Sequence, residues 1–177
     1  MAAEQIRLIE PCEQLADALI EYVEEFRRVG ETFWQNEARR VREDVEGYLR
    51  ERRDWSAGRN LPEGFVPETH YWLVRGGRIL GVIRIRHRLT DKLRTRGGHI
   101  GYDIRPSERR KGYGTRMLAM ALVEARRIGL DRVMVTCDRG NVASARVILA
   151  NGGVFESEGP DPETGEMVHR YWIELWG

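Results

Sequence analysis

The chain predicts an α/β fold, and three observations carry that reading. Runs with strand periodicity and runs with helical periodicity alternate in the order β-α-α-β-β-β-α-β-α-β-β. Glycine, proline and asparagine punctuate the boundaries between them. The length, 177 residues, suits one domain spanning 1–177 with a single good core.

Each element has its own signal. Residues 6–9 alternate apolar and charged, a short strand that Pro11 ends. Leu15, Leu19, Tyr22, Val23 and Phe26 then recur at helical spacing, and Gly30 stops the helix. A second helix is predicted over 37–55, with Val41, Val45, Tyr48 and Leu49 as its apolar stripe. The segment 56–68 holds Gly58, Pro62, Gly64 and Pro67, but Leu61, Phe65 and Val66 make it too apolar for a simple linker. It reads as an ordered loop over a site. Strands at 71–74 and 79–85 flank the hairpin turn Arg75-Gly76-Gly77-Arg78. A connection over 91–98 leads to a strand over 98–105. The helix over 115–128 shows Leu118, Ala121, Leu122, Ala125 and Ile128 on one face and ends at Gly129. Residues 133–137 form an apolar strand, Asn141 caps a helix ending at Asn151-Gly152, and strands at 154–156 and 168–175 flank a turn at 161–165.

Composition narrows the class. Hydrophobic residues make up 41% and charged residues 32%, as in a soluble globular protein. No apolar run approaches the roughly 20 residues that span a bilayer, and Met1 to Gln5 lack the pattern of a signal peptide. Cys12 and Cys137 are too few for a disulfide framework, so a cytoplasmic setting is expected. Four scattered histidines and two distant cysteines show no metal spacing. Net charge is +1, yet residues 75–116 hold thirteen Lys or Arg against Asp91, Asp103 and Glu108. Such a field attracts a polyanion; without an aromatic stacking motif, a phosphorylated cofactor fits better than nucleic acid.

The most informative stretch is Arg109-Arg110-Lys111-Gly112-Tyr113-Gly114-Thr115, between a strand and a helix. Amides at a helix start have no intrahelical partner and face the positive end of the dipole, so this turn is an anion site. It is not a P-loop, because Lys111 precedes Gly112 instead of following a glycine. It is not the dinucleotide fingerprint, because Met117 stands where the third glycine belongs. It resembles the R/Q-x-x-G-x-G/A turn of the GNAT superfamily of acyl-CoA N-acetyltransferases. Three further segments extend the resemblance over about 60 residues: Ile104-Arg105-Pro106 at the strand exit, Asn141-Val142-Ala143-Ser144 at the next helix start, and Asn151-Gly152-Gly153-Val154-Phe155 at its end. The wording suggests a bacterial-type subgroup of unassigned substrate.

The resemblance implies a mixed, mostly antiparallel sheet of six to seven strands, helices on both faces, and a splay between strands 4 and 5. It implies acetyl-CoA as cosubstrate and no metal. Backbone of Tyr102, Asp103 and Ile104 would hold the pantetheine amides as an added strand would. Amides of Gly112, Tyr113, Gly114 and Thr115 would hold the pyrophosphate, with charge from Arg109, Arg110 and Lys111, and Asn141 and Ser144 near the arm. Each of those cations is as well explained by solvation, and Asn141 by helix capping.

The resemblance implies direct transfer to a primary amine of a small molecule or peptide. The family's tyrosine acid falls at Ile148, and its strand glutamate at Gly98 or Thr136, so the usual acid and base are absent. His99 is the first candidate base, with an unperturbed pKa of about 6.5, against a structural hydrogen bond. Tyr102 is a candidate proton donor, against a core role. His87 is weaker, and Phe33 with Trp34 are candidates for an acceptor wall. A non-catalytic acyl-CoA-binding module is the alternative. The aromatic-rich run 168–176 is expected to be a sheet edge supporting a homodimer.

Overall fold

A computed structural model describes residues 5–31 and 33–175, except the side chains at 33–35. Seven strands form one sheet: β1 (Arg7–Ile9), β2 (Glu68–Arg75), β3 (Arg78–Arg86), β4 (Ile100–Ile104), β5 (Arg132–Asp138), β6 (Val154–Pro160) and β7 (Met167–Glu174). Their order is β1-β2-β3-β4-β5-β7-β6. Every pair is antiparallel except β4 with β5. This is the mixed, mostly antiparallel sheet expected from the sequence.

Helices cover both faces. On one lie α5 (Tyr113–Ile128) and α6 (Val142–Ala150), where Met117, Leu118, Ala121 and Ala125 meet Ile83, Ile100, Val133 and Val135. On the other lie α1 (Ala16–Arg28), α2 (Phe33–Glu43) and α3 (Val45–Ser56), where Leu19, Tyr22, Phe26 and Leu49 meet Trp72, Val74 and Val82. Strand alternation sends each second residue to each core, and full burial of a Leu or Phe side chain contributes about 1.5–3 kcal/mol. Helix α5 stops where Gly129 turns left-handed at φ 99, with Leu130 N–H donating to Ala125 O at 3.1 Å.

Three readings are corrected. The helix expected over 37–55 is two helices, broken at Asp44, whose Oδ1 accepts from Gly47 N at 2.8 Å and caps α3. The Asp44 carboxylate lies over Gly47, where a Cβ would make it shift. The connection over 91–98 contains a helical turn, α4 (Asp91–Thr95), capped by Thr90. Strand β7 lies between β5 and β6 and is not an edge; the edges are β1 and β6. The premise for edge-to-edge pairing therefore moves to β6, where Val154 and Phe155 are exposed. Trp176, in the same run, lies outside the described residues.

One ion pair ties α1 to the turn before α5. Arg105, 4% exposed, donates Nε to Glu25 Oε2 at 2.6 Å, and Glu25 Oε1 accepts from Ser107 N at 2.7 Å. Burial alone would raise the Glu25 pKa, but these bonds outweigh it and hold the carboxyl below its usual range. The stabilisation is therefore present above the unfolded carboxylate pKa and is lost as pH falls through the folded value. Replacing Arg105 by Met should cost about 1–3 kcal/mol at pH 7, because Glu25 loses its strongest donor but keeps Ser107 N and the nearby Arg78. Urea unfolding at pH 7 and pH 3 should show that deficit shrinking at the lower pH.

Candidate functional site

Strands β4 and β5 meet at one register position, Ile100 opposite Val135, reinforced by His99 N–H donating to Met134 O at 2.8 Å. Gly98 makes the approach possible. It sits at φ 59, and a Cβ there would collide with the Met134 carbonyl. Beyond this point the strands part. The resulting cleft, about 390 Å³, is lined by Gly101, Tyr102 and Asp103 from β4 and by Thr136, Cys137 and Asp138 from β5, with Asn141 and Ser144 above. The register of β3 against β4 is regular, so Tyr102 and Asp103 face opposite sides. Tyr102 reaches α6, its hydroxyl 2.8 Å from Ser144 Oγ. Burial raises its pKa to about 12, so it is protonated at neutral pH. Asp103 pairs with Val82 on the α1–α3 side, and its backbone carbonyl accepts from Tyr22 Oη at 3.2 Å.

The glycine turn opens α5 as expected. Arg110 and Gly112 both adopt left-handed backbone, at φ 59 and φ 80. The bond from Arg116 N–H to Gly112 O, 3.2 Å, begins the helical series, so amides 113–115 have no intrahelical acceptor. No acidic side chain occupies the first turn. The side chains divide. Arg109 pairs with Glu31 at 2.7 Å and donates to Ile104 O, and Lys111 pairs with Glu108 at 3.0 Å. All three side chains, Arg109, Arg110 and Lys111, are exposed. Tyr113 Oη accepts from Arg75, and Thr115 O accepts from Asn151 Nδ2. Asn141 Oδ1 accepts from Ser144 N at 3.0 Å, the expected cap. The turn thus offers free amides, left-handed backbone and exposed cations, the features an anion site needs.

Sequence reasoning missed a second cavity of about 800 Å³ on the α1–α3 side. Helices α2 and α3, strands β2 and β3, α4 and the loop residues Glu63 to Val66 enclose it. Phe65 packs edge-on against Trp55, ring centroids 5.4 Å apart. Arg84 and Arg86 line both this cavity and the β4–β5 cleft, so the two spaces share a wall. Buried charge fills the floor. Glu68 accepts from His70 Nε2 at 2.8 Å and lies 3.4 Å from Arg86 Nε. Burial would raise its pKa, but the His70 hydrogen bond and the nearby Arg84 and Arg86 charges hold it at about 2. The missed signal was alternation: Glu68, His70 and Trp72 share one strand face, as do Val82, Arg84 and Arg86. Charges on the inward face of an otherwise apolar strand need a purpose. Phe33 and Trp34, the expected wall, have side chains outside the described residues.

His99 does not suit a base. Its Nδ1 accepts from Met134 N at 2.9 Å, so the neutral ring carries its proton on Nε2 and has no acceptor left. Burial, with Arg94, Arg86 and Arg132 nearby, lowers its pKa to about 4. It lines neither cavity. His87 hydrogen-bonds Thr69 Oγ1 at 2.9 Å at the strand end. Among the described residues no cluster of ligands can hold a metal ion, and no helix is long and apolar enough to cross a membrane.

Comparison with known proteins accords with this geometry. The family model described as an acetyltransferase (GNAT) domain matches residues 5–154, and the chain belongs to that family. Comparison with curated proteins finds no match. Solved structures share the fold. The microcin C7 self-immunity acetyltransferase MccE, in complex with acetyl-CoA and AMP, superposes with TM-score 0.68 at 15% identity, covering 96% of this chain and 92% of that one. RimL, a ribosomal L7/L12 α-N-protein acetyltransferase in complex with coenzyme A, gives 0.67 at 17%, covering 98% and 95%. A GNAT acetyltransferase from Streptococcus pneumoniae gives 0.64 at 16%, covering 97% and 100%.

The lowered histidine pKa values make a stability prediction. His99 and His70 are both depressed, chiefly by burial. Below the unfolded value of about 6.5 the unfolded chain takes up protons that the folded chain refuses. Stability from these rings is therefore full above pH 6.5 and falls toward pH 4. Urea midpoints should decline across that window, and His99→Gln should flatten the decline. An NMR titration of the His99 ring with a midpoint near 6.5 would contradict the geometry.

Proposed function

We propose that this protein moves an acetyl group from acetyl-CoA to a primary amine of a small molecule or peptide by direct attack. The observation that carries the reading is the shared wall at Arg84 and Arg86, which joins the β4–β5 cleft to the larger cavity. A thioester in the cleft and an amine in the cavity would meet there without a relay. MccE in complex with acetyl-CoA and AMP, and RimL acting on a protein α-amine, share the fold.

The residues then divide the work. Amides of Gly112 to Thr115 hold the pyrophosphate, and the exposed β4 edge at Tyr102, Asp103 and Ile104 takes the pantetheine amides. Acetyl-CoA supplies the activated thioester. Tyr102, protonated and hydrogen-bonded to Ser144, gives its proton to the departing thiolate. It stands in for the family tyrosine whose position is Ile148, fully buried in the core. Cys137 is not a nucleophile: burial raises its pKa and keeps it a thiol. Glu68, held at about 2, and His70, depressed by burial, are poor bases. The attacking amine's own proton leaves through solvent, which restores the proton that Tyr102 gives up.

A thiol-release assay with acetyl-CoA over an amine panel tests the reading, and turnover with any acceptor rejects the binding-module alternative. Tyr102→Phe should lower kcat by roughly 10²–10⁴-fold with little change in KM for acetyl-CoA. Cys137→Ala should keep most activity, and a two-substrate plot should give intersecting lines. Parallel lines, or an acetylated Cys137, would overturn direct transfer.

Gly112→Val should weaken coenzyme A binding about 10-fold or more, measured by calorimetry. The residue would have to hold φ 80, costing about 1–3 kcal/mol, and would displace the amides from the phosphates. Unchanged affinity would remove the pyrophosphate from this turn.

A further inference from the structure

Attack by an amine moves charge onto the thioester carbonyl oxygen, so acetyl transfer needs a hydrogen-bond donor where that oxygen stands. On the reading above, the carbonyl lies where the cleft and the larger cavity meet. Two side chains line both spaces, Arg84 and Arg86. Arg86 is committed to structure: it donates to the carbonyls of Gly97 and Gly98 at 3.0 Å each and lies 3.4 Å from Glu68. Other donors of the cleft stand elsewhere. Arg96 pairs with Asp138, Asp161 and Glu166, and Tyr102 with Ser144 lies on the α6 side.

Arg84 is placed differently. Its partner across β3 and β4 is Gly101. A Cβ there would come within 2.9 Å of Arg84 Nε, 3.2 Å of Nη2 and 3.3 Å of Cζ. The guanidinium therefore lies across bare backbone, and Gly101 itself lines the cleft. A glycine inside a strand marks a place where another group must come close. Here it lets a side chain from the cavity face reach the cleft edge. The half-buried guanidinium also helps to keep Glu68 ionised through its charge. That attraction orients Arg84, and a guanidinium with several N–H groups in one plane can serve two acceptors at once.

We propose that Arg84 is a catalytic residue: its guanidinium donates a hydrogen bond to the thioester carbonyl oxygen and holds the oxyanion that forms when the amine attacks. The inference rests on the acetyl-transfer reading and supplies the donor which that reading leaves unassigned. The amine nitrogen forms a bond to the carbonyl carbon, and the carbonyl π pair moves onto oxygen, against Arg84. On collapse that pair re-forms the carbonyl, the C–S bond breaks, and the thiolate takes the Tyr102 proton. Arg84 stays protonated throughout, because a guanidinium does not give up its proton in proteins. Gly101 and Tyr102 alternate along β4, so Arg84 and the Tyr102 side chain stand on opposite faces of the sheet. The amine arrives on the Arg84 side, and the thiolate departs on the Tyr102 side.

Infrared spectroscopy of acetyl-CoA bound to the full chain, its carbonyl carbon isotopically labelled, tests this without any acceptor. The carbonyl band should lie at lower frequency than in free acetyl-CoA, and Arg84→Gln should return it toward the free position. In a thiol-release assay with an active amine, Arg84→Gln should lower kcat roughly 10²–10³-fold, with calorimetric affinity for coenzyme A unchanged. Arg84→Lys keeps a donor and should recover part of both effects. Gly101→Ala displaces the guanidinium and should move the band in the same direction as Arg84→Gln, which keeps the test valid if the Arg84→Gln chain does not fold. A band at one position in the wild-type chain and in these variants, or an affinity for coenzyme A that falls as far as kcat, overturns the inference. Thiol release at the wild-type rate in Arg84→Gln sinks this inference alone. An Arg84-dependent band without thiol release from any amine sinks the transfer reading alone.

Discussion

Gly98 and the Met134 carbonyl share a space that no side chain can enter, and the site depends on that contact. Parallel strands normally run together along their length. Here the left-handed turn at Gly97 and Gly98 drops β4 onto β5 at Ile100 and Val135, and the chains then diverge. The turn is held from three sides: Arg86 donates to the carbonyls of Gly97 and Gly98 at 3.0 Å each, Gly97 N donates to Thr136 Oγ1, and Gly98 N donates to Leu93 O. Arg86 therefore does two things at once. It pins the point where the strands touch, and its charge lines the cleft that opens beyond.

The larger cavity is built on the same residues, so the two spaces share one wall. Arg86 reaches Glu68, Glu68 reaches His70, and Arg52 approaches both from α3. Burying such a network is expensive unless each charge is answered. A hydrophobic floor of equal volume would be at least as stable. These polar groups face a cavity and not a packed core. The β6–β7 turn closes the far side: Arg96 meets Asp138, Asp161 and Glu166, and Arg170 donates to the carbonyls of Arg94 and Thr95. These bonds tie the end of α4 to β5, to β7 and to the turn between β6 and β7.

The sequence made the cofactor side legible because backbone chemistry leaves local traces. A turn needing left-handed residues and free amides must spell glycine within a few positions, and Arg109 to Thr115 did so. Helix caps are equally local, which is why Asn141 was readable and Asp44, hidden among charges in a long amphipathic run, was not. The larger cavity was illegible for the opposite reason. Arg52, Glu68, His70, Arg84 and Arg86 come from three elements, and only the sheet register places them together. His99 misled because residue type was visible and environment was not. An imidazole suited to neutral pH in water becomes, beneath Arg86 and Arg132 and bonded to a backbone amide, a neutral fixture of the strand.

On the proposed reading the site compensates for the family residues it lacks. A tyrosine on α6 would reach the thiolate from above; Tyr102 would reach it from the strand, with Ser144 fixing its hydroxyl. The polar groups nearest the shared wall are committed to holding it together: Glu68 to His70 and Arg86, and His99 to the Met134 amide. A group whose charge or lone pair is already answered is a poor proton acceptor, so the amine would lose its proton to solvent and not to a side chain. Arg84 and Arg86 would then shape the junction at which amine and thioester meet.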